Sequence, residues 1–520
     1  MKQDDTHPLL HVGRAADLEG SDRVLYRMFE ILPALLSVGT LILLVVLSFT
    51  VPAVVAYFTI AFAAYWLFKT VFLTIHLRHN FNRLNHNTAL DWSKELSGFA
   101  YDDIVHLVIF PFYKEPYEVL KESMSALARS RFPKEQIAVV LAAEERAGTA
   151  AWETAERLRK EFTDTFLEVL VTVHPSDVPD EIPGKGSNIA YAAKEATARV
   201  VDARGLSYEK VIVSAFDSDT VVYEDYFACL TWHFLTAENP MRTSFQPIPL
   251  YNNNIWTAPT LSRVLGYAST FWQMIQQERP ERLSTFSSHA IPLKPLAEAG
   301  YWQRNMVNED SRIFFNLFCY FDGAYEVVPI SYPVSMDANV APTFLGTVVN
   351  LYKQHLRWMY GAAENIPYLL YHFMKNPRIP FGKKARLLFV HIEGAWSLAV
   401  QPLILLAIGW LPLLVGGPGF NSTVLSYNLP IVSSWFLTAA MFGLVFLAVY
   451  SVRLLPRRPV GKGPFRVMLM FGQWIIVPVT MVIFSSIPGI EAQIRLAIGK
   501  YLGFWVTPKS RLREVKAQKA

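Results

Sequence analysis

The sequence predicts an α/β domain, built on a doubly wound, mostly parallel sheet and inserted between transmembrane helices. Three observations lead there. The chain of 520 residues is 52% hydrophobic and 18% charged, too apolar for an ordinary soluble enzyme and too charged for a chain embedded throughout. Long apolar runs stand near both ends. Between them, short β-type runs alternate with stretches of helical period, the pattern of strands joined by crossover helices.

The first two apolar runs are Ile31 to Leu47 and Val51 to Ile75, each long enough to cross a bilayer. The residues between them, "SFT", read as a tight external turn. The basic, acid-free stretch "HLRHNFNRLNH" follows, and the positive-inside rule puts it in the cytoplasm. The N-terminus is polar, mixed in charge and unlike a signal peptide. These features predict a cytoplasmic segment at 1–26 and two membrane helices at 27–78.

The soluble domain is expected at 100–345. Its strand signals are "IVHLVIF", "IAVVLAA", "FLEVLVTV" and "VIVSAF"; its helix signals include "YEVLKESMSALARS" and "AAWETAERLRKEF". Interfacial helices are expected at 346–385. A membrane region follows at 386–486, with apolar segments Leu387 to Val415, Ile431 to Val452 and Val467 to Phe484. The loop "RLLPRRPVGKGPFR" is basic and reads as cytoplasmic; "GGPGFNSTVLSYNLP" lacks charge and suits the other side. Five simple spans send the basic tail of 487–520 outside, against its charge. Either one apolar segment is re-entrant or interfacial, or Ile487 to Val506 crosses despite Glu491, Arg495 and Lys500.

The net charge of +4, from 48 basic and 44 acidic residues, gives no argument for nucleic acid. Two cysteines, Cys229 and Cys319, exclude a disulfide framework or a cysteine zinc site and suit a reducing compartment.

Ligands in such sheets sit beyond the carboxyl ends of the strands. The first strand runs into "FPFYKEP", where Pro111 is expected to stop the ladder and Tyr113 and Glu115 follow. The second ends in Glu144 and Glu145. The fourth ends in Asp217-Ser218-Asp219. Two carboxylates so close raise each other's pKa. Magnesium or manganese relieves the conflict and commonly neutralises a diphosphate. The competing reading is a pair of capping aspartates before "YEDYFACL". Upstream, Gly184 and Gly186 flank Lys185 ahead of an alanine-rich helix, which reads as a phosphate cradle or as an ordinary turn. Glu309 and Asp310 open an aromatic helix, where acids stabilise any helix by about 0.3–1 kcal/mol. In "KQHLRWMYGA", Gln354, Arg357 and Trp358 share one helix face. A juxtamembrane helix with a snorkelling arginine and an interfacial tryptophan has the same pattern. His391 and Glu393 stand inside an apolar run, where ionisable side chains often serve function.

The ordered set "PFYKE", "GKGSN", "FDSDT", "NED" and "QHLRW", spread over Val105 to Ala362, resembles the membrane-integrated family 2 glycosyltransferases: cellulose synthase, hyaluronan synthase and ceramide glucosyltransferase. "FWVTPK" (Phe504 to Lys509) is similar to the gating-loop motif of cellulose synthase. The resemblance implies a GT-A domain that uses a nucleotide-sugar, UDP-linked by expectation, with Mg2+ or Mn2+. It implies that Tyr113, Glu115, Glu144 or Glu145, Lys185, Asp217 and Arg357 bind the donor, and that Asp217 and Asp219 hold the metal. Asp310, beside Glu309, is the implied base, with Asn308 where the family's motif has threonine. Gln354 and Trp358 are implied at the acceptor. "STFSSHA" stands where relatives carry an acceptor loop, and His289 within it is a candidate acceptor contact. A growing polysaccharide is the leading acceptor, a lipid taking one sugar the second, and a transporter or scaffold with a relic domain the third.

Overall fold

The structure is a computed structural model that describes residues 9–457, 459 and 464–506. The basic tail, Thr507 to Lys509 of "FWVTPK" and part of the basic loop before 464 lie outside the described residues.

Helices α1 (Gly20–Thr50) and α2 (Pro52–Ala89) are longer than the apolar runs that announced them. The expected three-residue turn is not there. Helix α1 continues through Thr50, and only Val51, at φ −140° and ψ 63°, separates the two. Pro52 explains this, because its fixed φ suits the first helical position, where no N–H is needed. The basic stretch His76 to His86 continues α2 as helix. Asn87 docks that end on the domain by donating to the Ile330 and Ser331 carbonyls at 3.1 and 3.3 Å.

Strands β1 (Val105–Phe112) and β2 (Ile137–Glu144) are buried along their full length, as strands covered on both faces must be. Strands β3 (Glu168–His174) and β4 (Val211–Ala215) complete a parallel quartet with them. Amphipathic helices α3 (Tyr117–Arg129) and α4 (Thr149–Phe162) pack Leu120, Met124, Ala155 and Leu158 against one face. Helix α5 (Lys185–Ala196) packs Ile189, Ala192 and Ala193 against the other. Pro111 does not end β1; it stays in the ladder opposite Ala142.

Beyond this quartet lie strands with no strong signal in the sequence: β5 (Val221–Val222), β6 (Thr243–Leu250), β7 (Ala290–Pro292) and β8 (Glu326–Ser335). The full order is β3-β2-β1-β4-β7-β6-β8-β5. Strand β7 runs antiparallel to β4 and β6, while β6 and β8 are parallel, so the sheet is mixed with mostly parallel pairing. Prolines obscured β6 and β8. Pro247 is tolerated because the β6–β8 register shifts between Gln246 and Ile248. Helices α6 (Tyr226–Thr236), α7 (Thr260–Gln277) and α8 (Glu309–Tyr320) fill the connections.

Helix α9 (Phe344–Lys375) leads out of the domain into α10 (Phe381–Leu406), α11 (Val424–Arg453) and α12 (Phe465–Ala497). By length and apolarity α1, α2, α10, α11 and α12 are the five helices able to cross a membrane among the described residues. The α10–α11 connection meets the α1–α2 turn: Thr59 Oγ1 donates to the Gly409 carbonyl at 3.4 Å, and Ala56, Phe420 and Leu429 cluster there. Helix α12 behaves differently. It joins the expected segments Val467 to Phe484 and Ile487 onward into one run, with irregular turns at Gln473–Ile476 and Val482–Ser486. Near its start Arg466 donates to the Trp256 carbonyl of the domain. At its end the Leu496 carbonyl accepts from Arg27, at 2.8 Å, near the domain end of α1. Both ends of α12 therefore lie on the domain side.

Candidate active site

The carboxyl ends of β1, β2 and β4 open on a cavity of about 740 Å³. Lys185, the first residue of α5, lies at its floor. Gly184 before it has φ +158°, and a side chain there would run into the Phe504 ring. That close approach is what requires glycine. Lys185 Nζ lies 2.7 Å from Asp217 Oδ1, 2.9 and 3.0 Å from the two Asp310 oxygens, and 3.7 Å from Glu309. Burial works against its charge, but these three carboxylates outweigh burial and raise its pKa above the ordinary lysine value.

Asp217 lines the cavity and accepts from Ser287 Oγ at 2.8 Å. Asp219 is fully buried; its Oδ2 accepts the Asp337 N–H at 3.0 Å, and its carbonyl accepts from Asn253 Nδ2 at 3.0 Å. Helix α6 starts only at Tyr226, so neither aspartate caps it. Among the described residues no three His, Cys, Asp or Glu side chains gather as a metal cluster. Asp217 at the cavity and the buried Asp219 two residues on still offer hard carboxylate oxygens that fit magnesium or manganese. Such ions commonly take one or two protein carboxylates and complete their shell with phosphate and water oxygens.

Asp310 faces the cavity from the first turn of α8. Its neighbour Glu309 does not; it is 1% exposed, and neither carboxylate oxygen has a hydrogen-bond partner. Burial, then the charge of Asp310, pushes the Glu309 carboxyl up to about 7, with Lys185 and Arg357 opposing.

The opposite wall is α9. Gln354, Arg357 and Trp358 all line the cavity, as their spacing predicts for one helix face. Gly361, one turn later, lets α9 approach closely, since a methyl there would overlap Asn308. Arg357 donates to the Val307 carbonyl at 3.5 Å and lies 4.7 Å from the Phe504 ring centre; its Nε has no partner. Trp358 stands edge-on to Phe286 at 6.2 Å. Gln354 accepts from Asn339 Nδ2 at 3.1 Å.

At the β1 and β2 ends, Glu115 folds back to accept the Tyr113 and Lys114 N–H groups at 2.6 and 3.1 Å. Glu144, 4% exposed, lines the cavity and pairs with Arg146, whose guanidinium sits 4.7 Å over the Tyr113 ring. Glu145 turns away to hold Ser176. His289 is not at the cavity surface, which corrects its candidacy as an acceptor contact. It is fully buried, with Nε2 accepting from Trp302 at 3.1 Å and Nδ1 facing the Phe286 carbonyl at 2.8 Å. Burial lowers its pKa, so it stands neutral behind Asp310. Sequence reasoning missed Arg146, Tyr251 and Asp337, all at strand ends. Asp337 was discoverable: it follows the run "EVVPISYPVS", had those prolines been read as edge-tolerant.

Fold and site together present a cleft of about 740 Å³ lined by charged side chains at the carboxyl edge of an α/β sheet, beside apolar helices. Residues 212–452, from β4 to α11, match the model of glycosyl transferase family group 2. No curated protein matches the sequence. Among solved structures, the chain is similar to a mannosyltransferase from Pyrobaculum calidifontis in complex with GDP-Man and Mn2+. Identity is 12%, the TM-score 0.41, and the match covers 84% of this chain and 99% of that one. It is also similar to S. aureus TarS 1-349 in complex with UDP-GlcNAc, at 12% identity and TM-score 0.35, covering 69% and 95%.

Proposed function

We propose that this chain is a membrane-embedded, inverting family 2 glycosyltransferase that moves a sugar from a nucleotide-sugar to a growing polysaccharide. The observation that carries the reading is one cavity shared by Lys185, Asp217, Asp310 and Arg357, at the carboxyl edge of the sheet. Tyr113 and Glu144 receive the base, and Lys185 and Arg357 face the diphosphate. Asp217 and Asp219 would hold a divalent cation, which would neutralise charge on the leaving diphosphate. Asp310 takes the proton of the acceptor hydroxyl as that oxygen attacks C1. The bond from C1 to the diphosphate oxygen breaks on the opposite face, which inverts the anomeric centre, and Lys185 and Arg357 meet the developing charge. Lys185 Nζ also reaches both Asp310 oxygens, so the ammonium that faces the diphosphate holds the base in place beside it.

Four crossings by α1, α2, α10 and α11, with α12 lying along the interface, put both termini and the domain on one side, the cytoplasmic one by charge. The ends of α12 support this, and it removes the conflict over the basic tail. The second reading, one sugar added to a lipid, draws support from the cavity's continuation past Trp66, Leu73, Leu398 and Leu444, between helices. Against the relic-transporter reading, Glu393 is paired with Lys69 and Ser397, as a structural ion pair between α2 and α10 would be. The test is a screen of UDP- and GDP-sugars with purified protein and Mn2+. A ladder of product lengths supports polymerisation, a single glycolipid supports the second reading, and no turnover of any donor refutes both.

A further inference from the structure

Beside Asp337 a polar side chamber of about 20 Å³ adjoins the main cavity, and Tyr251, Asp337, Asn339, Gln354 and His355 line it. Its position is set from two sides. The Asp337 N–H is anchored on Asp219, and Asn254 clasps Ala338 through both its N–H, at 2.9 Å, and its carbonyl, at 2.8 Å. Asn339 in turn donates to Gln354 on α9. The segment Met336 to Asn339 thus bridges the aspartates and the arginine-bearing helix. Three buried side-chain polar atoms of residues at this chamber have no partner, Asn339 Oδ1, Ser262 Oγ and His355 Nδ1. Buried polar atoms are rarely left so without a ligand or water to meet them.

We propose that Asp337, with Asn339 and Gln354, is the subsite that recognises the sugar of the donor, and that it selects a neutral hexose over a uronic acid. The proposal rests on the nucleotide-sugar reading of the main cavity. Asp337, 5% exposed, lines both the chamber and the main cavity, where Asp217 and Lys185 also lie. A carboxylate accepts from two neighbouring hydroxyls, and Asn339 Oδ1 accepts one more. The charges fix the class. Lys185 and Arg357 are committed to the diphosphate, and Asp217, Asp219 and Asp310 are negative. A sugar carboxylate placed at Asp337 meets a like charge, whereas neutral hydroxyls donate to it.

The experiment is calorimetric binding to the full-length purified protein with Mn2+, using UDP, UDP-glucose, UDP-glucuronate, GDP and GDP-mannose as probes. The wild type binds at least one neutral nucleotide-hexose more tightly than its nucleoside diphosphate, and UDP-glucuronate no more tightly than UDP. Asp337→Asn loses about tenfold or more in nucleotide-hexose affinity, as expected for hydrogen bonds to a charged group. Its affinity for the bare diphosphate changes by less than about twofold, and its discrimination against UDP-glucuronate relaxes. The backbone N–H, not the side chain, anchors Asp219, so that anchor survives the substitution. Asn339→Ala, which leaves the carboxylate in place, weakens hexose binding without relaxing that discrimination. Unchanged hexose affinity and unchanged discrimination in Asp337→Asn overturn the subsite while leaving the nucleotide-sugar reading intact. Failure of the wild type to bind either nucleotide overturns that reading, and the subsite with it.

Discussion

Gly361→Ala tests whether the contact between α9 and α8 sets the active geometry. Gly361 lies one turn beyond Arg357 and packs on Asn308, which immediately precedes Glu309 and Asp310. An added methyl overlaps the Asn308 side chain. Carbon atoms in good contact lie about 3.5–4 Å apart, so the helices must separate by more than about 1 Å. Overpacking of this kind costs about 1–3 kcal/mol. Replacing a helical glycine by alanine returns about 1 kcal/mol. The net loss of stability is therefore about 0–2 kcal/mol, and the variant folds. Activity suffers more, because Arg357 and Trp358 on one side of the contact and Asp310 on the other act on one reacting centre. A displacement of about 1 Å there costs about 10²-fold. Donor turnover and the thermal midpoint, measured on detergent-purified protein, give both quantities. Gly382→Ala is the control, since a methyl there meets nothing within 4 Å. Wild-type turnover in folded Gly361→Ala would refute the reasoning.

Asp310→Asn keeps the shape but cannot take the proton, so transfer falls by about 10²-fold or more while donor binding persists, as calorimetry can check. Chelator abolishes turnover and added Mn2+ or Mg2+ restores it; full activity in excess chelator removes the cation from the reaction. The Glu309 carboxyl is raised in the folded state, so its contribution to stability is present below its unfolded value and lost as pH rises through about 7. Glu309→Gln therefore flattens the fall in thermal midpoint between acid and neutral pH, and an unchanged profile shows that the group ionises freely.

Much of this molecule is legible in local pattern. The continuous apolar strands β1, β2 and β4 are readable because both their faces are buried, and the helices between them because one face is. The acids at those strand ends, Glu144, Asp217 and Asp219, follow from the rule that parallel sheets present their carboxyl ends to ligands. The face of Gln354, Arg357 and Trp358 follows from helical spacing. Other features depend on which distant segments meet, and no local pattern encodes that. Prolines hid β6 and β8, and with them Asp337, because tolerance of a proline depends on the partner strand's register. His289 and Asp310 both stand out in sequence as site candidates, but only tertiary packing separates them, burying the first behind Trp302 and exposing the second to the cavity. The interfacial placement proposed for α12 likewise rests on contacts at its two ends, Trp256 at one and Arg27 at the other, which no local pattern encodes. Apolarity makes a long helix able to enter a bilayer. Its polar contacts with distant residues, Arg466 with Trp256 and Leu496 with Arg27, form only in the folded chain.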